Sequence, residues 1–201
     1  DRGRRYPAGM PRVADSPAAP SEGWAVLHLV FAIAGDRDDD VDIADAQDLV
    51  DAFLAEDDAQ LIAFSVLGAG ADVGLILLHP DFTRLHRLHR DLMRTELGEA
   101  LVEVPERSMV SITEASEYIN PDNPDVEQLR EGRLHPRDLP DTRCVCIYPM
   151  SKSRVPGANW YAQDFEERRR LMGGHGRLGA EFRGRVSQID RKSTRLNSSH
   201  T

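Results

Sequence analysis

The residues best suited to chemistry lie in the C-terminal third of the chain. Tyr148-Pro149-Met150-Ser151-Lys152 is followed by Asn159-Trp160-Tyr161, by Phe165-Glu166-Glu167-Arg168-Arg169 and by Leu171-Met172-Gly173-Gly174-His175-Gly176. This is a dense run of aromatics and cations that ends in an imidazole bracketed by glycines. Glycines beside His175 omit the side chains that would hold a flat macrocycle away from the backbone. A neutral imidazole is also a common protein ligand to haem iron. The competing reading of Gly-Gly-His-Gly is a turn at a helix end, which spacing alone favours.

The remaining candidates are weaker. His86 and His89 stand i, i+3 on a helix, but Arg84, Arg87 and Arg90 repel a cation and favour a solvated basic face over a metal site. His28 and His79 lie in or beside strands with no carboxylate or thiolate partner evident, which suits core or edge histidines. Cys144 and Cys146, read as strand residues, point to one face, do not bridge each other and lack the second pair of a zinc site. The acidic run Asp36–Asp42 lacks the spacing of a calcium-binding loop and reads as a solvated turn.

The elements that must position these residues follow from hydrophobic period. Trp24–Ile33 is a β-branched apolar strand. Ile43, Ala46, Val50, Phe53 and Leu54 recur at helical spacing. Leu61–Leu67 and Val73–Leu78 flank the Gly68–Gly70 turn as a hairpin. Asp81 caps a second helix that runs to Gly98, and Leu101–Val104 with Ser108–Thr113 forms a further extended stretch. The order β-α-β-β-α-β implies a ferredoxin-like sandwich in the α+β class, an antiparallel sheet with helices on one face. Residues 119–142 are rich in Pro, Asp and Asn and read as a connection. Beyond it, strand Cys144–Tyr148, a helix from Asp164 with Glu167 completing a capping box, and strand Arg185–Ile189 begin a second repeat.

The 201 residues are 40% hydrophobic and 29% charged, with 25 Lys+Arg against 34 Asp+Glu and a formal charge of −9. A net acidic chain argues against nucleic acid or anionic membrane as partner. No apolar run reaches the ~18 residues of a membrane span. Two cysteines make no disulfide scaffold, so a reducing, cytoplasmic location is expected.

Both ends differ in character from the rest. Residues 1–21 read as a disordered leader, with Met10 the expected start. Asp190–His200 spells what a common short-read sequencing adapter encodes, so 190–201 is expected to be a non-native tail. Without Asp190, Arg191, Lys192 and Arg195 the Lys+Arg count falls from 25 to 22, Asp+Glu from 34 to 33, and the charge becomes −11. The expected organisation is an N-terminal repeat at 22–118, a connection at 119–142 and an incomplete C-terminal repeat at 143–189.

Tyr-Pro-Met-Ser-Lys, Asn-Trp-Tyr, Phe-Glu-Glu-Arg-Arg-Arg-Leu-Met, His-Gly and Val-Ser-Gln, at these spacings, resemble the coproheme decarboxylases, the peroxide-dependent branch of the chlorite-dismutase-like haem proteins. The resemblance implies two ferredoxin-like repeats, porphyrin in the C-terminal one, and a homo-oligomeric ring, typically a pentamer. It makes His175 the iron ligand and Tyr148 the redox-active tyrosine. Pro149, Met150, Ser151 and Lys152 line the porphyrin propionates. Lys152 and Arg133 match the cations that hold them, with one extra residue between Arg133 and Tyr148, and Gln188 matches the distal glutamine. The implied substrate and redox centre is Fe-coproporphyrin III, which hydrogen peroxide converts to haem b by oxidative loss of two propionate carboxyls. Chlorite dismutation and non-catalytic haem binding or transfer are the alternatives. The distal arginine position that marks the first lies beyond Ile189.

Overall fold

The computed structural model describes residues 18–35, 40–68, 70–137, 139 and 143–182, together with the backbone of 191–193. A central strand, β1 (Ala25–Ile33), organises the N-terminal half. It pairs antiparallel with β3 (Val73–His79) from Ala25 opposite His79 to Phe31 opposite Val73. Its other edge takes β5 (Met109–Thr113) along one half and β4 (Leu101–Glu103) along the other. β2 (Gln60–Ser65) closes the hairpin with β3, so the sheet runs β2-β3-β1-β5. This is the antiparallel α+β arrangement expected from the sequence.

The period-two alternation of β1 sorts its side chains between two cores. Ala25, Leu29 and Phe31 face helices α1 (Ala44–Leu54) and α2 (Phe82–Leu92), meeting Ala46 and Phe53 from the first and Leu85, Leu88 and Leu92 from the second. Trp24 and Val26 face the other way, with Ile76 and Leu78 and the flanking Ile62, Phe64 and Leu139. Helix α2 starts where Asp81 accepts hydrogen bonds from Thr83 N at 2.8 Å and Ala18 N at 2.9 Å.

That helix does not run to Gly98 as the sequence suggested. The Thr95 hydroxyl donates to Leu92 O at 2.7 Å and accepts from Gly98 N at 3.1 Å, ending α2 and opening the short α3 (Glu96–Glu99). A side chain at position 98 would overlap the Leu92 carbonyl, so the tight reversal requires glycine.

The stretch expected as a plain connection holds a helix, α4 (Val126–Leu134). It buries none of its residues, so no apolar period announces it. Its C-terminal end is pinned to the sheet: the Thr113 hydroxyl donates to Leu134 O, the Gln60 amide donates to Pro136 O, and the Trp24 and His135 rings lie 5.6 Å apart.

Residues 144–150 adopt no regular structure, which corrects the expected strand at Cys144–Tyr148. The alternation Cys-Val-Cys-Ile-Tyr suits a strand, but a strand persists only where a neighbour completes its ladder, and no described strand pairs with it. Cys144 and Cys146 are accordingly exposed rather than buried. Arg191–Ser193, within the stretch expected to be a non-native tail, forms β6 against β5. The expected strand at Arg185–Ile189, with Gln188, lies outside the described residues.

Candidate functional site

His175 lies inside α5 (Phe165–Ala180), and its side chain is exposed. The capping box read from the sequence is formed, with the Asp164 carboxylate accepting from Glu167 N at 2.8 Å. Arg170 then grips Glu167 at 2.6 and 2.7 Å, and this hydrogen bonding holds the Glu167 carboxyl below its ordinary range. The helix passes straight through Gly173, Gly174 and Gly176, so the glycine-bracketed histidine is not a terminal turn. Glycine in a helix interior costs roughly 1 kcal/mol relative to alanine. Packing does not require it at 173 or 176, where an added Cβ would meet open space. These glycines leave bare helix backbone on either flank of the face that carries His175.

Ring contacts and an ion pair fix α5 to the irregular segment that follows β5. The Tyr118 ring stacks on Phe165 at 5.6 Å and meets Trp160 edge-on at 6.2 Å, while Arg168 pairs with Glu117 at 3.5 Å. Burial, with the adjacent Glu117 carboxylate, pushes the Tyr118 phenol above its ordinary value. Trp160 opens a short 3-10 turn that Asn159 caps by accepting from Tyr161 N at 3.0 Å, and Trp160 N donates to Ser153 O at 2.9 Å. This pulls the Tyr148–Lys152 segment back onto the helix. Lys152 Nζ lies 4.6 Å above the Trp160 ring and 3.6 Å from Met172 Sδ. Met172 and His175 are i, i+3 neighbours on one helical face, so the Lys152 ammonium comes within a turn of the imidazole.

Tyr148 is 63% exposed and Met150 70%, with Pro149 and Ser151 exposed beside them. Arg133 is exposed in the last turn of α4, on a shallow groove shared with Gln128, Leu129 and Gly132. The structure thus brings Lys152 to the His175 helix and sets Arg133 on a different element. Leu171, Leu178 and Phe182 add exposed apolar surface along and just after α5. An accessible imidazole, bare glycine backbone, an ammonium and exposed apolar side chains are groups that a flat, largely apolar ligand with carboxylates at its edge would contact.

Trp160 and Tyr118 support this arrangement; the sequence places Trp160 in the Asn-Trp-Tyr motif without giving it a role, and it does not mark Tyr118. Elsewhere, His79 does have a carboxylate partner. Its Nδ1 accepts from Asp81 N at 2.9 Å, so Nε2 carries the proton that it donates to Glu56 at 3.1 Å, and Arg84 binds the same carboxylate at 2.6 Å. This cluster ties the end of α1 to β3 and α2. His28 faces the Ser111 hydroxyl at 3.2 Å and His89 lies 3.3 Å from Glu103. Among the described residues no three metal-ligating side chains converge, and no helix is long and apolar enough to cross a membrane.

The family model for chlorite dismutase matches residues 40–199. The chain belongs to the chlorite dismutase family. Two curated family relatives, each described provisionally as heme-binding, come from Haloarcula marismortui (36% identical, 86% of this chain and 28% of the relative) and Halobacterium salinarum (34% identical, 92% and 40%). The chain therefore spans well under half the length of these relatives. Among solved structures, a heme-binding protein from Thermus thermophilus is 27% identical over 81% of this chain and 68% of its own, with a TM-score of 0.66. Chlorite dismutase from Candidatus Nitrospira defluvii shares the fold at 15% identity, with a TM-score of 0.60 over 87% of this chain and 76% of its own.

Proposed function

We propose that this chlorite dismutase family member binds Fe-coproporphyrin III and decarboxylates two of its propionates with hydrogen peroxide, yielding haem b. The observation that carries the proposal is the placement of Lys152 against Met172, within one helical turn of His175. In a net acidic chain, an ammonium against the helix that carries His175 supports a role in holding the carboxylates of an anionic porphyrin.

In this reading His175 supplies a neutral imidazole to the iron, and the bare glycine backbone admits the macrocycle. Lys152, with Arg133 from α4, holds propionate carboxylates. Tyr148, four residues before Lys152 in the same segment, would take a hydrogen atom from a propionate β-carbon, and Gln188, which lies outside the described residues, would serve as the distal glutamine that the resemblance implies. The bound ferric porphyrin with peroxide supplies the oxidising equivalents: each round reduces one hydrogen peroxide to water, releases one carbon dioxide and leaves a vinyl group. Positioning is then the protein's main contribution. The names of the haloarchaeal and Thermus relatives support haem binding in general, and binding without turnover is the second reading.

The test is to mix the protein with ferric coproheme and titrate hydrogen peroxide while following absorbance and product mass. Haem b at two peroxides per porphyrin is the expected result. Stable binding with no mass change points to the second reading, and oxygen release from chlorite points to dismutation.

A further inference from the structure

The Lys152 ammonium sits on a half-buried indole, 4.6 Å from the Trp160 ring, with Met172 Sδ at 3.6 Å, and both are weak, uncharged partners. A carboxylate partner would neutralise the cation and compete with an incoming anion. The indole face and the thioether instead restrict its position while leaving N–H donors for an anion to accept from. Trp160 is itself held at its backbone and at its ring. Its backbone N–H is bound to Ser153 O, Asn159 caps its turn, and its ring meets Tyr118, which stacks on Phe165 of α5. The neighbouring Arg154 guanidinium lies 4.8 Å over Tyr161, so two nearby cations of the segment rest on two successive rings.

We propose that Trp160 is a positioning residue for carboxylate recognition, holding the Lys152 ammonium over the His175 face of α5 before the ligand arrives. The inference rests on the proposed role of Lys152 as a propionate contact. Pre-orientation reduces the side-chain entropy lost on binding, and lysine has much to lose.

The test compares Trp160→Leu, which removes the π face, with Trp160→Phe, which retains one. In the ligand-free protein, the rate of Lys152 acetylation by an amine-reactive ester is read by peptide mass. Trp160→Leu should raise it about 2- to 5-fold, the factor expected from losing an exposed cation–π contact, and Trp160→Phe much less. Spectroscopic titration should show Trp160→Leu weakening ferric coproheme by a similar factor, with binding of its carboxylate-free tetramethyl ester in detergent unchanged.

Unchanged acetylation in Trp160→Leu overturns the proposal. So does equal weakening of coproheme and ester, which would make Trp160 a packing residue only. Should Lys152→Met bind coproheme as tightly as the parent, the propionate role of Lys152 fails instead, and the acetylation measurement still judges Trp160.

Discussion

The stretch from Trp24 to Thr113 and the stretch from Glu114 to Phe182 are built on different principles. Every buried hydrophobic residue among those described lies in the first, where two sheet faces carry separate apolar clusters. Helices α4 and α5 of the second bury no residue at all. Exposed large apolar side chains instead gather there, including Tyr148, Met150, Val155, Leu171, Leu178 and Phe182. The first stretch supplies every buried member of both clusters, with Leu139 of the second packed at the edge of one. The second is held by a few ring contacts, ion pairs and hydrogen bonds, and it presents apolar surface that a ligand can cover. Anything that binds there adds its free energy to the stability of the helices that hold it.

The largest effect that would break this contrast is in the cores. Leu88→Ala, at a fully buried position between α2 and the sheet, should cost about 2–5 kcal/mol in urea unfolding. Leu178→Ala on α5, at 64% exposure, should change the same measurement by no more than about 0.5 kcal/mol. Comparable losses in the two variants would show that α5 is packed as a core element.

A smaller effect sharpens the contrast, because the two regions contain the same capping chemistry. Asp81 caps α2 and Asp164 caps α5 through backbone hydrogen bonds of 2.8 Å each. Asp81→Ala should lower global stability by about 1 kcal/mol. Asp164→Ala should leave the global transition in place and reduce only helical circular dichroism, since α5 frays separately. For Asp81, burial pushes the carboxyl upward, but the hydrogen bonds from Thr83 and Ala18 and the nearby His79 outweigh it and hold it low. A lowered folded-state value gives stability that is complete above the unfolded value of about 3.9 and fades as pH falls through the folded one. The difference between parent and Asp81→Ala should therefore shrink on acidification across the carboxylate range.

These regions also differed in how much the sequence disclosed. Strands β1 and β3 and helices α1 and α2 were legible because each buries a face, and burial imposes a period of two or 3.6 on residue type; β2, only partly buried, was legible from its apolar run and the glycine turn beside it. Helix α4 buries nothing, so its Pro- and Asp-rich lead-in dominated the reading. The end of α2 at Leu92 depends on one hydroxyl, Thr95, and one unoccupied Cβ position, Gly98, which carry no periodic signature. Glu56 and His79 are 23 residues apart and meet only once β3 lies beside the end of α1. In the site, motif spacing singled out Tyr148, Lys152 and His175. The contacts of Lys152 with Trp160 and Met172 needed the fold, because they join a segment without regular structure to the middle of a helix.

The most direct test of the functional account is Tyr148→Phe, assayed with ferric coproheme and hydrogen peroxide. Tyr148 is 63% exposed, so removing its hydroxyl should leave folding untouched. The account predicts coproheme bound with parental affinity, peroxide consumed, and no loss of carbon dioxide in the product mass. Haem b formed at the parental rate by Tyr148→Phe would contradict it.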